Sequence, residues 1–194
     1  MFIVFEGSDN SGKTTQIKRL HKHLTSLGIK AIATVEPGGT QIGQALRQIM
    51  FTQPLEPITE LLLMSAARAE HVKNIINPAL KEGTVVLCDR FTDSTHVYQG
   101  DIKQVPKSYI QQIERMIQPP KPDYVVLFTH HYGQAKDDLL GKVDQAKVVK
   151  GFLGRMKDNW LLAPGGSVDF TFKWLLQTII SKMPAPKNSP PAQD

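Results

Sequence analysis

Residues 2–15 read FIVFEGSDNSGKTT, and this stretch decides the fold. Phe2 to Phe5 is a short β-branched and aromatic apolar run, followed by Glu6 and Gly7, which suits a strand buried on both faces. Gly7-Ser8-Asp9-Asn10-Ser11-Gly12-Lys13-Thr14 fits GxxxxGK[ST]. From Lys13 to Leu27 the apolar residues Ile17, Leu20, Leu24 and Leu27 recur at spacings of three and four, and Gly28 supplies the stop, so this is an amphipathic helix. A strand, a glycine-bounded turn and a helix in that order form a phosphate cradle. The glycines let the backbone wrap around an anion, successive N–H groups and the helix N-terminus point at it, and Lys13 adds a mobile positive charge. Gly7, Asn10, Ser11, Gly12, Lys13, Thr14 and Thr15 are the candidate phosphate-binding residues, with the Thr14 hydroxyl offered to Mg²⁺. A glycine-rich turn without ligand is the plainer alternative, and Lys13 and Thr14 at the matching offsets argue against it.

Outward from this unit, Ile29 to Val35, Thr84 to Cys88, Tyr124 to Phe128 and Trp160 to Ala163 read as further strands. Helical spacing covers Gln41 to Phe51, Ile58 to Lys81 with a bend at Pro78, Lys107 to Ile117, Val143 to Met156 and Phe170 to Met183. Such alternation predicts an α/β fold, a parallel sheet covered by helices. No internal repeat is present. Residues 1–183 are expected to form a single domain, and 184–194, PAPKNSPPAQD, a disordered tail.

A chain of 194 residues is about one domain's worth. Its 41% hydrophobic and 21% charged residues permit a packed core and exclude wholesale disorder. The longest apolar runs, Tyr124 to Phe128 and Leu61 to Met64, fall far short of the roughly 18 to 20 residues that cross a bilayer. The N-terminus lacks the features of a secretory signal, which predicts a reducing, cytoplasmic location. Cys88, the single cysteine, has no internal disulfide partner and reads as a small buried hydrophobe in VVLC. With 23 Lys and Arg against 18 Asp and Glu, the net charge of +5 favours polyanionic partners. The positive charges are spread along the chain without a dense basic run, which favours nucleotides over nucleic acids.

Kinases, switch GTPases, motor ATPases and helicases share the phosphate loop. No NKxD-type tetrapeptide follows a late strand, and the chain is short for most oligomeric motor modules, which leaves a small-molecule kinase. FEGSDNSGKTTQ at 5–16, EPGGTQIGQALR at 36–47, LLLMSAARAEHV at 61–72 and DRFTDSTHVYQG at 89–100 resemble, in order and spacing, the bacterial form of the thymidylate kinase family across residues 1–128. The resemblance implies a three-layer P-loop kinase fold whose five-stranded parallel sheet is flanked by helices. It also implies ATP and Mg²⁺ as cofactors, phosphorylation of dTMP to dTDP, a lid at about 130–154 and a homodimer.

Asp89 ends a strand at its carboxyl edge, where ligands bind in open α/β sheets, and a carboxylate there can hold Mg²⁺ together with Thr14. Arg90 beside it carries a guanidinium suited to clamping a phosphate. Lys13, Asp89 and Arg90 are the catalytic candidates. By resemblance, Arg90 and Arg47 contact the acceptor monophosphate and Arg68 the pyrimidine. Ser94, Thr95, Tyr98 and Gln99 read the base edge and pack on the deoxyribose, Asp9 meets the sugar 3′-hydroxyl, and Glu36 and Pro37 shape the acceptor pocket. Outside their motifs, Asp89 would be a helix cap, Arg90 a surface ion pair, Arg47 and Arg68 solvated arginines, and Tyr98 a core aromatic with a wet tip.

The chain departs from the family at several places. Met64 stands where many relatives stack an aromatic ring on the base, and Val35 where bacterial relatives usually have arginine. Asn10 takes the P-loop place of the arginine that stabilises the transferred phosphoryl group, and no arginine lies between His130 and Gly154. Lys136, Lys142, Lys147, Lys150 and Arg155 are the possible substitutes. The acidic residue usual after the fourth strand is replaced by Thr129-His130-His131, which reads as a loop feature rather than a metal site. Three readings follow: an active dTMP kinase, a kinase for another deoxynucleoside monophosphate such as dUMP or a modified pyrimidine, or a nucleotide-binding homologue without turnover. Retention of Lys13, Thr14, Asp89 and Arg90 favours activity.

Overall fold

The computed structural model describes residues 1–130 and 143–183. The expected tail at 184–194 lies outside the described residues, as does the part of the lid at 131–142 that holds His131, Lys136 and Lys142. Among the described residues five strands, β1 (Phe2–Gly7), β2 (Ala31–Val35), β3 (Val85–Asp89), β4 (Tyr124–Phe128) and β5 (Trp160–Leu162), form one all-parallel sheet in the order β2-β3-β1-β4-β5. The helices between and after them are α1 (Lys13–Ser26), α2 (Gln41–Thr52), α3 (Pro57–His71), α4 (Asn77–Lys81), α5 (Thr92–Thr95), α6 (Lys107–Ile117), α7 (Gln145–Leu153) and α8 (Val168–Ile180). The three-layer architecture expected from the sequence is the one observed.

β1 and β3 are buried along their whole length, so each face of the sheet carries its own apolar layer. On one face Phe2, Val4, Val86, Cys88, Val125 and Leu127 pack against Ile76, Val148 and Phe152. On the other, Ile3, Phe5, Leu87 and Val126 meet Ile17, Leu20 and Leu24 of α1 and Leu175 and Ile179 of α8. Each such side chain stabilises the fold by about 1.5 to 3 kcal/mol on burial. Cys88 is fully buried among them, as expected. No helix among the described residues is long and apolar enough to cross a membrane.

Two elements differ from the sequence reading. The bend expected at Pro78 is a π-helical turn over Val72–Ile76, where the Asn77 N–H donates to the Val72 carbonyl. Pro78 lacks an N–H and its ring crowds the carbonyl four residues earlier, so the helix widens in the turn before it. Residues 92–102 carried no helix in the sequence reading, yet α5 and a second π-helical segment, His96–Ile102, occupy them. Their threonines and serine are weak helix formers. The missing N-terminal cap comes from Glu6 at the end of β1, whose carboxylate accepts the Phe91 and Ser94 N–H groups at 2.9 and 3.1 Å.

Register sets the site. Asp89 lies opposite Phe5 of β1 on one side and Val35 of β2 on the other. The loops that follow three adjacent strands therefore leave one edge of the sheet together, where the chain order switches around β1.

Candidate active site

β1 runs into the phosphate loop through Gly7, whose φ is 139°. A Cβ there would sit 2.1 Å from the Phe128 carbonyl oxygen of β4, so only glycine lets the loop leave the sheet at this point. Lys13, the first residue of α1, folds back over the loop. Its ammonium donates to the Ser8 carbonyl at 2.6 Å, the Gly7 carbonyl at 3.2 Å and Ser11 Oγ at 3.2 Å. Burial, with the charge of Arg90, lowers Lys13 to about 8, and Asp89, Asp9 and Glu6 oppose the shift. An incoming polyanion adds negative charge beside this ammonium and favours its protonated form.

Thr14 Oγ1 donates to Asp89 Oδ2 at 2.7 Å, joining α1 to the end of β3. This is an all-oxygen pair of a hydroxyl and one carboxylate, which suits Mg²⁺, an ion that keeps most of its waters. Among the described residues there is no cluster of three or more His, Cys, Asp or Glu placed to hold a metal.

Arg90 follows with φ 68°, a conformation that a non-glycine residue holds only when its surroundings impose it. Its guanidinium donates to Asp9 Oδ1 at 2.5 Å and Ser94 Oγ at 3.2 Å, and lies 5.1 Å above the centre of the Tyr98 ring. The Ser94 hydroxyl donates in turn to Glu6 Oε2 at 2.6 Å, which leaves its lone pairs for Arg90. Arg47 donates to the Pro37 carbonyl at 3.0 Å and stacks 4.6 Å from the centre of the Phe51 ring. Burial, and after it the charge of Arg90, lowers the Arg47 pKa, as expected of two guanidiniums facing one space.

A single cavity of about 720 Å³ gathers most of the expected residues. Asp9, Asn10, Ser11, Gly12, Lys13, Thr14 and Thr15 line its donor end, and Asp89 and Arg90 its middle. Glu36, Pro37, Arg47, Met64, Ser94, Tyr98 and Gln99 line the rest. Gly7, Arg68 and Thr95 stand behind this wall. Arg68, 2% exposed, donates to Glu36 Oε2 at 2.7 Å, Thr95 Oγ1 at 2.9 Å and the Phe91 carbonyl at 3.0 Å. Three of its five N–H groups bear these bonds. His71 braces the same carboxylate, with Nδ1 3.0 Å from Glu36 Oε1 and Nε2 2.6 Å from Thr34 Oγ1.

Sequence reasoning passed over several contributors. Phe51, Lys18 and Thr34 also line the cavity, and Phe51 brings an aromatic ring to a wall where Met64 lacks one. The helical spacing from Arg47 to Phe51, one turn apart, was the available signal. Glu6 and Glu60 left no local signal, because their partners lie 88 and 39 positions away. Arg155, a possible substitute for the missing arginine, donates to Asp93 Oδ1 at 2.8 Å. His130 lies two residues beyond β4, against Gly165, and Lys147 and Lys150 lie exposed on α7.

A family model described as thymidylate kinase matches residues 5–136. The thymidylate kinase of Burkholderia cenocepacia (strain HI2424) is 46% identical over 132 residues, covering 66% of this chain and 64% of that protein. That of Pelotomaculum thermopropionicum is 52% identical over 117 residues, 59% of this chain and 54% of that protein. These matches thus span less than two thirds of the curated relatives' length. Over nearly the whole fold, the crystal structure of thymidylate kinase from Ehrlichia chaffeensis superposes with a TM-score of 0.77 at 32% identity, covering 93% of this chain and 98% of that one. With the phosphate loop, the Asp89–Arg90 pair and the acceptor wall gathered around one cavity, the chain belongs to the thymidylate kinase family.

Proposed function

We propose that the protein transfers the γ-phosphoryl group of ATP to the 5′-phosphate of dTMP. The observation that carries this reading is the single cavity lined by both Lys13 with its loop and the arginines Arg47 and Arg90. One end suits a triphosphate and the other a monophosphate. A phosphate oxygen of dTMP attacks the γ-phosphorus while the bond to the β,γ-bridging oxygen breaks and its electrons leave with ADP. The acceptor dianion has no proton to lose, so little acid–base chemistry falls to the protein. Alignment and charge do the rest. Lys13 and the loop amides hold the donor, and Arg90, oriented by Asp9 and Ser94, holds the acceptor with Arg47. When bound by Thr14 and Asp89, Mg²⁺ would neutralise charge on the donor phosphate oxygens.

Residues 1–183 act as one kinase domain in this reading, with 130–154 as a lid that excludes water. A homodimer is supported by exposed Ile58 and Leu62, one turn apart on α3, and Ile42 and Ile49 on α2. A sedimentation mass of one chain would remove it. The reducing cytoplasm suits the free, buried Cys88.

A coupled assay of ADP release from ATP with dTMP, dUMP, dCMP, dAMP and dGMP tests the proposal. Release that depends on dTMP and is fastest with it is expected. No dTMP-dependent release would overturn it.

A further inference from the structure

Glu60, on the buried face of α3, is 4% exposed. Both of its oxygens are engaged. Oε1 accepts from Gln99 Nε2 at 2.7 Å, and Oε2 is paired with the Lys103 ammonium. A carboxylate held by an ammonium has only lone pairs to offer, so it binds the NH₂ end of the Gln99 amide and repels the carbonyl end. The amide is planar, and holding its nitrogen holds its oxygen on the opposite side. Gln99 is completely buried and lines the cavity, and its Oε1 has no hydrogen-bond partner among the described residues. Buried acceptors without partners are rare, and one in the wall of a cavity is open to a donor on a bound molecule.

We propose that Glu60, clamped by Lys103, is a positioning residue that turns the Gln99 carbonyl toward the acceptor base and so selects bases with an N–H at that edge. Thymine and uracil carry hydrogen on N3, whereas cytosine presents a lone pair there and meets Oε1 acceptor to acceptor. The inference rests on the proposed function in placing the acceptor base in this cavity. It also gives a means of base selection that does not depend on a stacking ring at Met64: the hydrogen-bond pattern discriminates, and the apolar wall only supports.

The test compares dUMP with dCMP, which match in size and differ at positions 3 and 4, in the wild type and in Glu60→Gln. A neutral amide at position 60 can present either end, which frees Gln99 to turn over. The expected result is a dUMP preference in kcat/KM of roughly a hundredfold in the wild type, falling by about tenfold or more in the variant, with KM for ATP unchanged. Melting curves establish that the variant is folded. An unchanged preference, or an equal loss for both monophosphates, would overturn the proposal and leave the kinase reading intact. Should Glu60→Gln not fold, Glu60→Met removes the carboxylate that fixes the amide while keeping the bulk, and the same collapse is required of it. If no monophosphate is turned over by the wild type, the kinase reading fails, and calorimetric affinities for dUMP and dCMP take the place of kcat/KM. Equal affinities, or binding of neither, then overturn this proposal too.

Discussion

Glu6→Gln removes the carboxylate on which the start of α5 is built, and its effect on stability should depend on pH in a direction the structure dictates. Burial raises Glu6 from 4.5 to about 7, helped by the charge of Asp93 and opposed by the Ser94 hydroxyl, the charge of Arg90 and the Phe91 amide. A group whose pKa is higher in the folded state favours folding fully below its unfolded value. That contribution disappears as pH rises through the folded value. The window is therefore 4.5 to about 7, and at about 1.4 kcal/mol per pKa unit it spans about 3 kcal/mol. Most of this, roughly 2 to 3 kcal/mol, falls between pH of about 5 and about 8. Glutamine does not titrate, so the wild type should lose roughly 2 to 3 kcal/mol more than the variant across that interval. The lost hydrogen bonds affect the variant at both pH values and largely cancel in the double difference. Urea denaturation of both proteins at each pH, with equal m-values, measures the effect. Parallel stability–pH curves for the two proteins would refute the assignment of Glu6 as a buried, high-pKa carboxylate.

Two further outcomes follow from the same geometry. Lys13→Ala should leave the melting curve close to that of the wild type and lower kcat by on the order of 10²- to 10³-fold or more; turnover within a few-fold of wild type would remove Lys13 from the site. Gly39→Ala places a Cβ 2.3 Å from two ring atoms of His71 and 2.8 Å from Thr34 Oγ1. It should destabilise the protein by about 1 to 3 kcal/mol and raise KM for dTMP more than for ATP, because the displaced His71 also braces Glu36. An unchanged melting temperature would contradict the packing described there.

Much of the site was legible because its signals are local. Gly7 to Thr14 carries its own backbone geometry, and the apolar runs at 2–5 and 84–88 announce strands with two buried faces without reference to the rest of the chain. The Asp89–Arg90 pair could be placed at a strand's carboxyl edge by counting. Where local preference and tertiary contact disagreed, tertiary contact prevailed. The stretch from Thr92 to Ile102 is poor in helix formers, yet a carboxylate from β1 caps it into a helix.

The sequence by itself therefore determined the layered α/β architecture, the phosphate cradle and the family, since periodicity and glycine spacing act over a few residues. Only the tertiary structure decided that Arg68 is engaged behind the pocket wall, that Phe51 lines it, and that Gln99 donates to Glu60. Those outcomes depend on which donors meet which acceptors across the sheet edge. Hydrogen bonds of that reach leave no pattern in the chain, because the partners share neither a turn nor a strand.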